Sequence, residues 1–238
     1  MELSIVIPVY NEADNITTLL KEIQQALDSG PEYEVIVVDD CSTDTTNDQL
    51  QAYRAGMPQL RIIRHARNSG QSTGVRSGVR HARADWIVTL DGDGQNDPAD
   101  IPNLLKTRDE KGSDTTLVGG IRHQRKDTWV KRYSSRIANA VRGNMLGDNF
   151  PDTGCGIKLF PRQAFLTLPH FDHMHRFLPA LFRRQGWDVV GVNVGHRPRM
   201  AGSSKYGTFD RLRVGVVDLF GVMWLARRPC DVQTEEVE

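Results

Sequence analysis

The chain has 238 residues, 39% of them hydrophobic and 25% charged, with 30 Lys and Arg balanced by 30 Asp and Glu. That composition belongs to a folded globular protein able to bury a sizeable core, and it excludes a disordered, collagenous or disulfide-stapled chain. The zero net charge conceals an asymmetry. Residues 1–120 carry 11 Lys and Arg against 19 Asp and Glu, whereas residues 121–238 carry 19 against 11. The acidic half therefore suits a metal ion, and the basic half suits phosphate groups or an anionic surface.

The amino terminus enters an apolar run at once, without the basic region, apolar core and cleavage site of a signal peptide, so a cytoplasmic location is expected. Cys41, Cys155 and Cys230 form no close pair and read as free thiols. No helix-turn-helix, zinc finger or aromatic ribonucleoprotein signature is present, and no nucleic-acid partner is expected.

Over the first 120 residues, strands and helices alternate, which predicts an α/β fold with a mainly parallel sheet covered on both faces. Leu3 to Val9 is the first strand. Ile16, Leu19, Leu20, Ile23 and Leu27 recur at helical spacing and predict a helix from Ala13 to Asp28. Val35 to Val38 is a second buried strand ending in Asp39 and Asp40, with Ser42 and Thr43 expected to cap the next helix. Leu60 to Arg64 is a third strand. Gly70, Gly74, Gly78 and Ala82 then line one ridge of a helix, so another backbone should lie close against it.

The run Trp86 to Leu90 reads as a buried strand that ends in Asp91-Gly92-Asp93-Gly94-Gln95. Alternation along an extended chain points Asp91 and Asp93 the same way, and the glycines leave room for a bulky ligand. Oxygen ligands with few protein carboxylates suit Mg²⁺ or Mn²⁺, completed by water and a substrate's phosphates. A solvated acidic turn is the competing reading. A calcium loop is excluded, because Asn96 and Pro102 stand where its glycine and glutamate belong. A helix from about Pro98 and a strand from Thr115 to Gly119 follow.

After Gly120 the pattern changes. Arg122, Arg125, Lys126, Lys131, Arg132 and Arg136 gather around a helix bearing Trp129, Tyr133, Ile137 and Val141. The glycine-rich turn from Pro151 to Lys158 presents Asp152 as an isolated acid and leads into a short strand. His170, His173 and His175 lack the partners of a zinc site and are expected at a surface or cleft. Trp187 to Val194 is another strand, followed by a loop to Tyr206 with Arg197, Lys205 and flexible glycine and serines, suited to closing over an anion. Val214 to Ala226 is apolar apart from Asp218 and is bracketed by arginines. Its roughly 20 Å rise is too short to span a bilayer and fits a helix lying in the membrane interface or packed on the core. The tail from 229 to 238 is polar and expected to be disordered.

Several separated motifs agree. Ile7-Pro8-Val9-Tyr10-Asn11-Glu12, Val38-Asp39-Asp40 with Ser42 and Asp44, and Asp91-Gly92-Asp93-x-Gln95 resemble the family-2 glycosyltransferases of GT-A (Rossmann-like) fold. Gly119-Gly120-Ile121-Arg122, Lys131-Arg132-x-x-Ser135, Asp152-Thr153-Gly154-Cys155-Gly156 and Gly202-Ser203-Ser204-Lys205-Tyr206 extend the resemblance to the polyprenyl-phosphate sugar synthases. The resemblance implies a GT-A domain over residues 1–206, with a donor and metal half (1–120) and an acceptor half (121–206); from its own apolar pattern, an amphipathic helix over 207–228 is expected to follow. It implies an inverting, metal-dependent transfer from a nucleoside-diphosphate-sugar to a polyprenyl phosphate. Pro8, Tyr10, Glu12 and Asp39 would line the nucleoside pocket, Asp40 and Asp91 would support the donor, and Asp93 and Gln95, with Asp91 beside them, would hold Mg²⁺ or Mn²⁺. Arg122, Lys131, Arg132 and Ser135 would hold the lipid's phosphate, Asp152 would lie near the sugar, and Lys205 would close over the site. The expected setting is the cytoplasmic face of a membrane, as a peripheral protein. Transfer to a carbohydrate or protein hydroxyl, with Asp152 as base, and a nucleotide-sugar-binding module without catalysis are the alternatives.

Overall fold

A computed structural model describes residues 1–122, 142–143, 145–198 and 208–228, with side chains in the last segment from 215 onward. Lys131, Arg132, Ser135, Lys205, the expected closing loop at 202–206 and the tail at 229–238 lie outside the described residues.

Five strands match the sequence reading within a residue or two: β1 (Leu3–Val9), β2 (Tyr33–Asp39), β3 (Leu60–Arg64), β4 (Trp86–Thr89) and β7 (Val189–Val194). β5 runs from Leu117 to Arg122, later than expected, and β6 (Lys158–Pro161) follows the glycine-rich turn. The helices are α1 (Ala13–Ala26), α2 (Thr46–Arg54), α3 (Gln71–His81), α4 (Ile101–Lys111), α5 (Arg162–Thr167), α6 (Leu178–Arg184) and α7 (Thr208–Ala226). A 3-10 turn at Pro98–Asp100 precedes α4, with the Asp97 side chain accepting from the Ala99 amide. A second, Met174–Arg176, precedes α6.

The strands form one seven-stranded sheet in the order β3-β2-β1-β4-β6-β5-β7. β1, β2, β3 and β4 are parallel, β6 runs antiparallel to both β4 and β5, and β7 is again parallel to β5. That single reversal has a functional consequence. The residues before β6 come to the same edge of the sheet at which β1, β2, β4 and β5 end.

Strand alternation divides the interior into two cores. Leu3, Ile5, Ile7, Val35 and Val37 pack with Ile16, Leu19, Leu20 and Ile23 of α1 and Leu104 of α4. Val6, Ile36 and Val38 pack on the other face with Val75 and Val79 of α3 and Leu181 and Phe182 of α6. The small ridge of α3 lies directly on β1: a Cβ on Gly74 would sit 2.8 Å from the Pro8 Cβ, and one on Gly78 would overlap Val6 Cγ1. The close backbone approach expected from the glycine spacing is thus present.

Ser42 and Thr43 do not cap α2, whose N-terminal flanking residue is Thr45. They bridge two loops instead: the Asn11 amide donates to Ser42 Oγ at 2.9 Å, and Thr43 N donates to Asn11 Oδ1 at 2.8 Å. Asp44 takes the capping role, accepting from Thr46 N at 3.0 Å.

α7 packs through Val222, Leu219 and Leu225, and Arg184 Nε donates to the Leu225 carbonyl at 3.0 Å. Among the described residues no helix is long and apolar enough to cross a membrane. Yet Val216, Val217, Phe220 and Trp224, at 45–65% exposure, turn outward from the same helix.

Gly78→Ala should destabilise the fold by about 1–3 kcal/mol, because the added methyl must displace β1 in a packed core. Gly56→Ala, whose Cβ would meet nothing closer than 3.8 Å, should change stability by less than about 0.5 kcal/mol. Urea denaturation of the two variants checks the contrast.

Candidate active site

The site is assembled along the edge where the parallel strands end. After β1, Tyr10 and Glu12 are half-buried. Glu12 is oriented by Asn15 Nδ2, which donates to its Oε2 at 2.8 Å, and by Thr46 Oγ1, which accepts from its amide at 2.9 Å. Asn11 and Cys41 both adopt left-handed backbone (φ 53° and 64°) as the chain turns away from β1 and β2. Asp39 is fully buried. Its Oδ1 accepts from Ser42 N at 2.9 Å, while Oδ2 lies 3.3 Å from Arg64 Nε and has no hydrogen bond among the described residues. An enclosed acceptor of this kind is suited to the N–H edge of a base. Pro8, Tyr10, Glu12 and Asp39 therefore share one corner of the edge.

Asp40 is turned differently from its neighbour. It is 4% exposed, and its oxygens accept from His65 Nδ1 (2.7 Å), Ser69 N (2.8 Å) and Gly70 N (2.8 Å). It clamps the loop that opens α3, and so acts on the site through the residue that follows. That residue is Gln71, whose Nε2 donates to Asp91 Oδ1 at 2.7 Å. Ser72 beside it meets His175 Nδ1 at 2.7 Å.

β4 ends at Thr89, so Asp91 and Asp93 lie in the turn beyond it. Asp93 is 9% exposed and its Oδ1 accepts from Gln95 N at 3.2 Å. Burial, and then the charge of Asp93, push Asp91 up from an ordinary 3.8 to about 6, against the opposing pull of Lys158, Arg122 and Gln71. The Gln95 carbonyl accepts from Arg197 N at 3.0 Å, and the Arg197 guanidinium bridges Asp97 and Glu22 at 2.5 and 2.8 Å. These contacts hold the loop carrying the carboxylates from outside.

The donor set fits a hard divalent cation. The charge of Asp93 acts on Asp91, and the nearby Asn96 Oδ1 is buried without a hydrogen-bond partner among the described residues. Gly156 packs against both the Asp91 carboxylate and Asn96 Oδ1, where a Cβ would collide with either. All these donors are oxygen, the choice of Mg²⁺ and Mn²⁺. No cluster of three or more His, Cys, Asp or Glu exists among the described residues, so an ion here would take its other ligands from a bound substrate and water.

Asp152 is not the isolated acid that its sequence neighbourhood suggests. Arg122 Nε and Nη2 grip its two oxygens at 2.7 and 2.6 Å, and the Arg122 amide adds a third bond at 3.1 Å. This bidentate pair joins the end of β5 to the turn before β6. Lys158, 4% exposed, opens β6 between Thr89 of β4 and Gly119 of β5. Its ammonium donates to the Cys155 carbonyl, and burial draws its pKa down while Cys155, Asp91 and Asp152 raise it. A cavity of about 130 Å³ lies between these groups, bounded by Pro8, Gln71, Asp91, Lys158, His175 and Arg176 among others. It is close in size to cavities that admit a six-membered ring.

The three histidines form no common site, although the rings of His173 and His175 lie 6.4 Å apart. His170 meets Met174, His173 pairs with Asp218 of α7 at 3.1 Å, and His175 meets Ser72. Gln71, Lys158 and the Ser72–His175 pair escape a reading of motifs alone. Of these only Lys158, a lysine opening an apolar run, carries a signal visible in the sequence.

A model described as Glycosyl transferase family 2 matches residues 4–168. The undecaprenyl-phosphate 4-deoxy-4-formamido-L-arabinose transferase of Edwardsiella ictaluri is 36% identical over 207 residues, covering 86% of this chain and 62% of its own length. The dodecaprenyl-phosphate galacturonate synthase of Rhizobium johnstonii is 36% identical over 240 aligned positions, 95% of this chain and 68% of that protein. The chain thus spans about two thirds of the length of these relatives. Among solved structures, the glucosyl-3-phosphoglycerate synthase of Mycobacterium tuberculosis, in complex with Mn²⁺, uridine diphosphate and glucosyl-3-phosphoglycerate, has the same fold, with a TM-score of 0.69 at 17% identity over 94% of this chain and 79% of its own.

A carboxyl group whose pKa is raised by folding lends stability at low pH that is lost as pH climbs from 3.8 through about 6. Thermal melts in chelator between pH 4 and pH 8 should show this loss. Asp91→Asn should flatten it and raise the melting temperature at pH 7 by a few degrees.

Proposed function

The chain belongs to glycosyl transferase family 2, and from that premise we propose that it moves a sugar from a nucleoside-diphosphate donor to the phosphate of a polyprenyl lipid, with inversion at the anomeric carbon. Residues 1–120 form the donor and metal half and residues 121–206 the acceptor half. The observation that favours a phosphate acceptor is the Arg122–Asp152 pair. A hydroxyl acceptor needs a base, and Asp152, the candidate for that role, has both oxygens occupied by the Arg122 guanidinium. A phosphate monoester is already ionised near neutral pH and needs only to be aimed. The naming of the relatives, both of which act on polyprenyl phosphates, points the same way.

In this reading Asp39, Glu12, Tyr10 and Pro8 receive the nucleoside, and Asp93, Gln95 and Asp91 hold Mg²⁺ or Mn²⁺ against the diphosphate. Bound there, the cation supplies neutralisation of the charge that develops on the leaving nucleoside diphosphate. Gln71 fixes the orientation of Asp91, and Asp40 fixes Gln71. Arg122 offers the acceptor a positive edge, with Lys131, Arg132 and Ser135 completing its phosphate site and Lys205 closing over the donor, as the family resemblance implies. The acceptor attacks the face of the sugar opposite the departing diphosphate.

The partner surface is a membrane. Apart from Met1, every exposed large hydrophobic side chain among the described residues lies on α7: Val216, Val217, Phe220 and Trp224. Arg228 lies over the Trp224 ring at 5.4 Å. An aromatic and aliphatic face ending in arginines suits an interfacial helix on an anionic leaflet, where a lipid acceptor would be met by a peripheral protein on the cytoplasmic side.

Incubation with polyprenyl phosphate and a panel of nucleotide-sugars, followed by mass spectrometry of the lipid, tests the reaction. A glycosyl-phosphate lipid is expected, and a product on free sugar or peptide alone would reject the phosphate acceptor. Asp93→Ala should lose at least about a thousandfold in turnover, the scale of a lost charge-stabilising contact or worse. Asp152→Asn should lose less than the roughly 10²–10⁴-fold expected of a general base.

For the surface, Phe220→Ala with Trp224→Ala should abolish flotation on phosphatidylcholine–phosphatidylglycerol vesicles without lowering the melting temperature. Equal flotation of the double variant would assign α7 another partner.

A further inference from the structure

One charged group in the site has no part in the reaction as described. Lys158 sits in the middle of the sheet, paired with Thr89 on one side and Gly119 on the other, and is 4% exposed. An ammonium in that place is costly, and replacing a buried charge with a hydrophobic side chain of similar volume is commonly neutral or stabilising. The fold alone therefore gives no reason for a lysine here.

The surroundings give one. The Lys158 ammonium donates to the Cys155 carbonyl, within the turn whose Gly156 packs on the Asp91 carboxylate and whose Asp152 is held by Arg122. Thr89 Oγ1 anchors the same turn through the Gly156 carbonyl at 2.8 Å. Lys158 also borders the cavity on which Asp91 and Gln71 open. Of the two described cations whose charge acts on Asp91, Arg122 is paired with Asp152 and Lys158 is set in the sheet.

We infer that Lys158 is a positioning residue of the transfer site, kept for its charge: it fixes the height of the Asp152–Gly156 turn against Asp91 and presents the carboxylates to the donor. The inference rests on the proposed transfer reaction only for its effect on turnover. Its electrostatic effect carries a distinctive sign. A positive charge close to a metal-binding carboxylate repels the dication as well as orienting its ligand. Loss of that charge should tighten the metal while impairing the reaction, whereas loss of a merely structural contact would weaken both.

Lys158→Met preserves the length and volume of the side chain and removes the charge. Expected are a melting temperature equal to or above that of the unmodified protein, Mn²⁺ binding tightened several-fold in a titration with the metal alone, turnover lowered about a hundredfold, and a donor KM changed by no more than a few-fold. A lower melting temperature or failure to fold, Mn²⁺ binding that is unchanged or weaker, or turnover above half the original would each overturn the inference. Should the unmodified protein transfer no sugar from any donor, the proposed reaction fails, and the Mn²⁺ titration and the melt still decide the role of Lys158.

Discussion

The Asp91 carboxylate, in the turn beyond β4, feels both partial burial and the charge of Asp93, and groups from three other elements are arranged around it. Asp91 and Asp93 would each be easier to hold apart or in solvent. Here burial and mutual charge raise the pKa of Asp91 to about 6. The opposing contributions arrive from every side: an amide from α3 through Gln71, an ammonium from β6 through Lys158, and the guanidinium of Arg122 from β5. A divalent cation bound beside Asp91 would relieve this repulsion.

The reversal of β6 makes this convergence possible. In an all-parallel sheet the turn preceding a strand lies at the opposite edge from the turns that follow its neighbours. Because β6 runs against β4 and β5, the glycine-rich turn from Asp152 to Gly156 falls on the functional edge, next to Asp91 and Arg122. Gly156 then meets the Asp91 carboxylate with no room for a side chain. The Arg122–Asp152 pair, joining the end of β5 to the turn before β6, engages both oxygens of Asp152.

Part of the acidic charge of the first half is internal. Asp40 is occupied by two backbone amides and His65. Glu34, 1% exposed, is occupied by Ser4, Arg61 and the Arg83 amide. Charge counted along the chain thus overstates what a ligand meets. Asp39 Oδ2 and Asn96 Oδ1 are buried acceptors without a hydrogen bond among the described residues. A similar economy governs α7, which spends one side on α6 and retains an apolar face toward solvent.

Periodicity and local chemistry made much of this molecule legible from the amino-acid sequence. Apolar runs marked β1, β2 and β4, because a strand buried on both faces needs them. The Gly74 and Gly78 spacing announced a close approach, since it depends on residues a few positions apart. Tertiary structure decided what depends on partners distant in the chain. Ser42 and Thr43 resemble helix caps locally, yet they serve Asn11, some 31 residues away. Asp152 looks isolated until Arg122, 30 residues earlier, closes on it. Ser72 finds His175 across 103 residues, and Lys158 opens an apolar run whose place in the cavity beside Asp91 only the sheet decides. Hydrogen-bond geometry and burial are properties of the assembled sheet, and no window of sequence contains them.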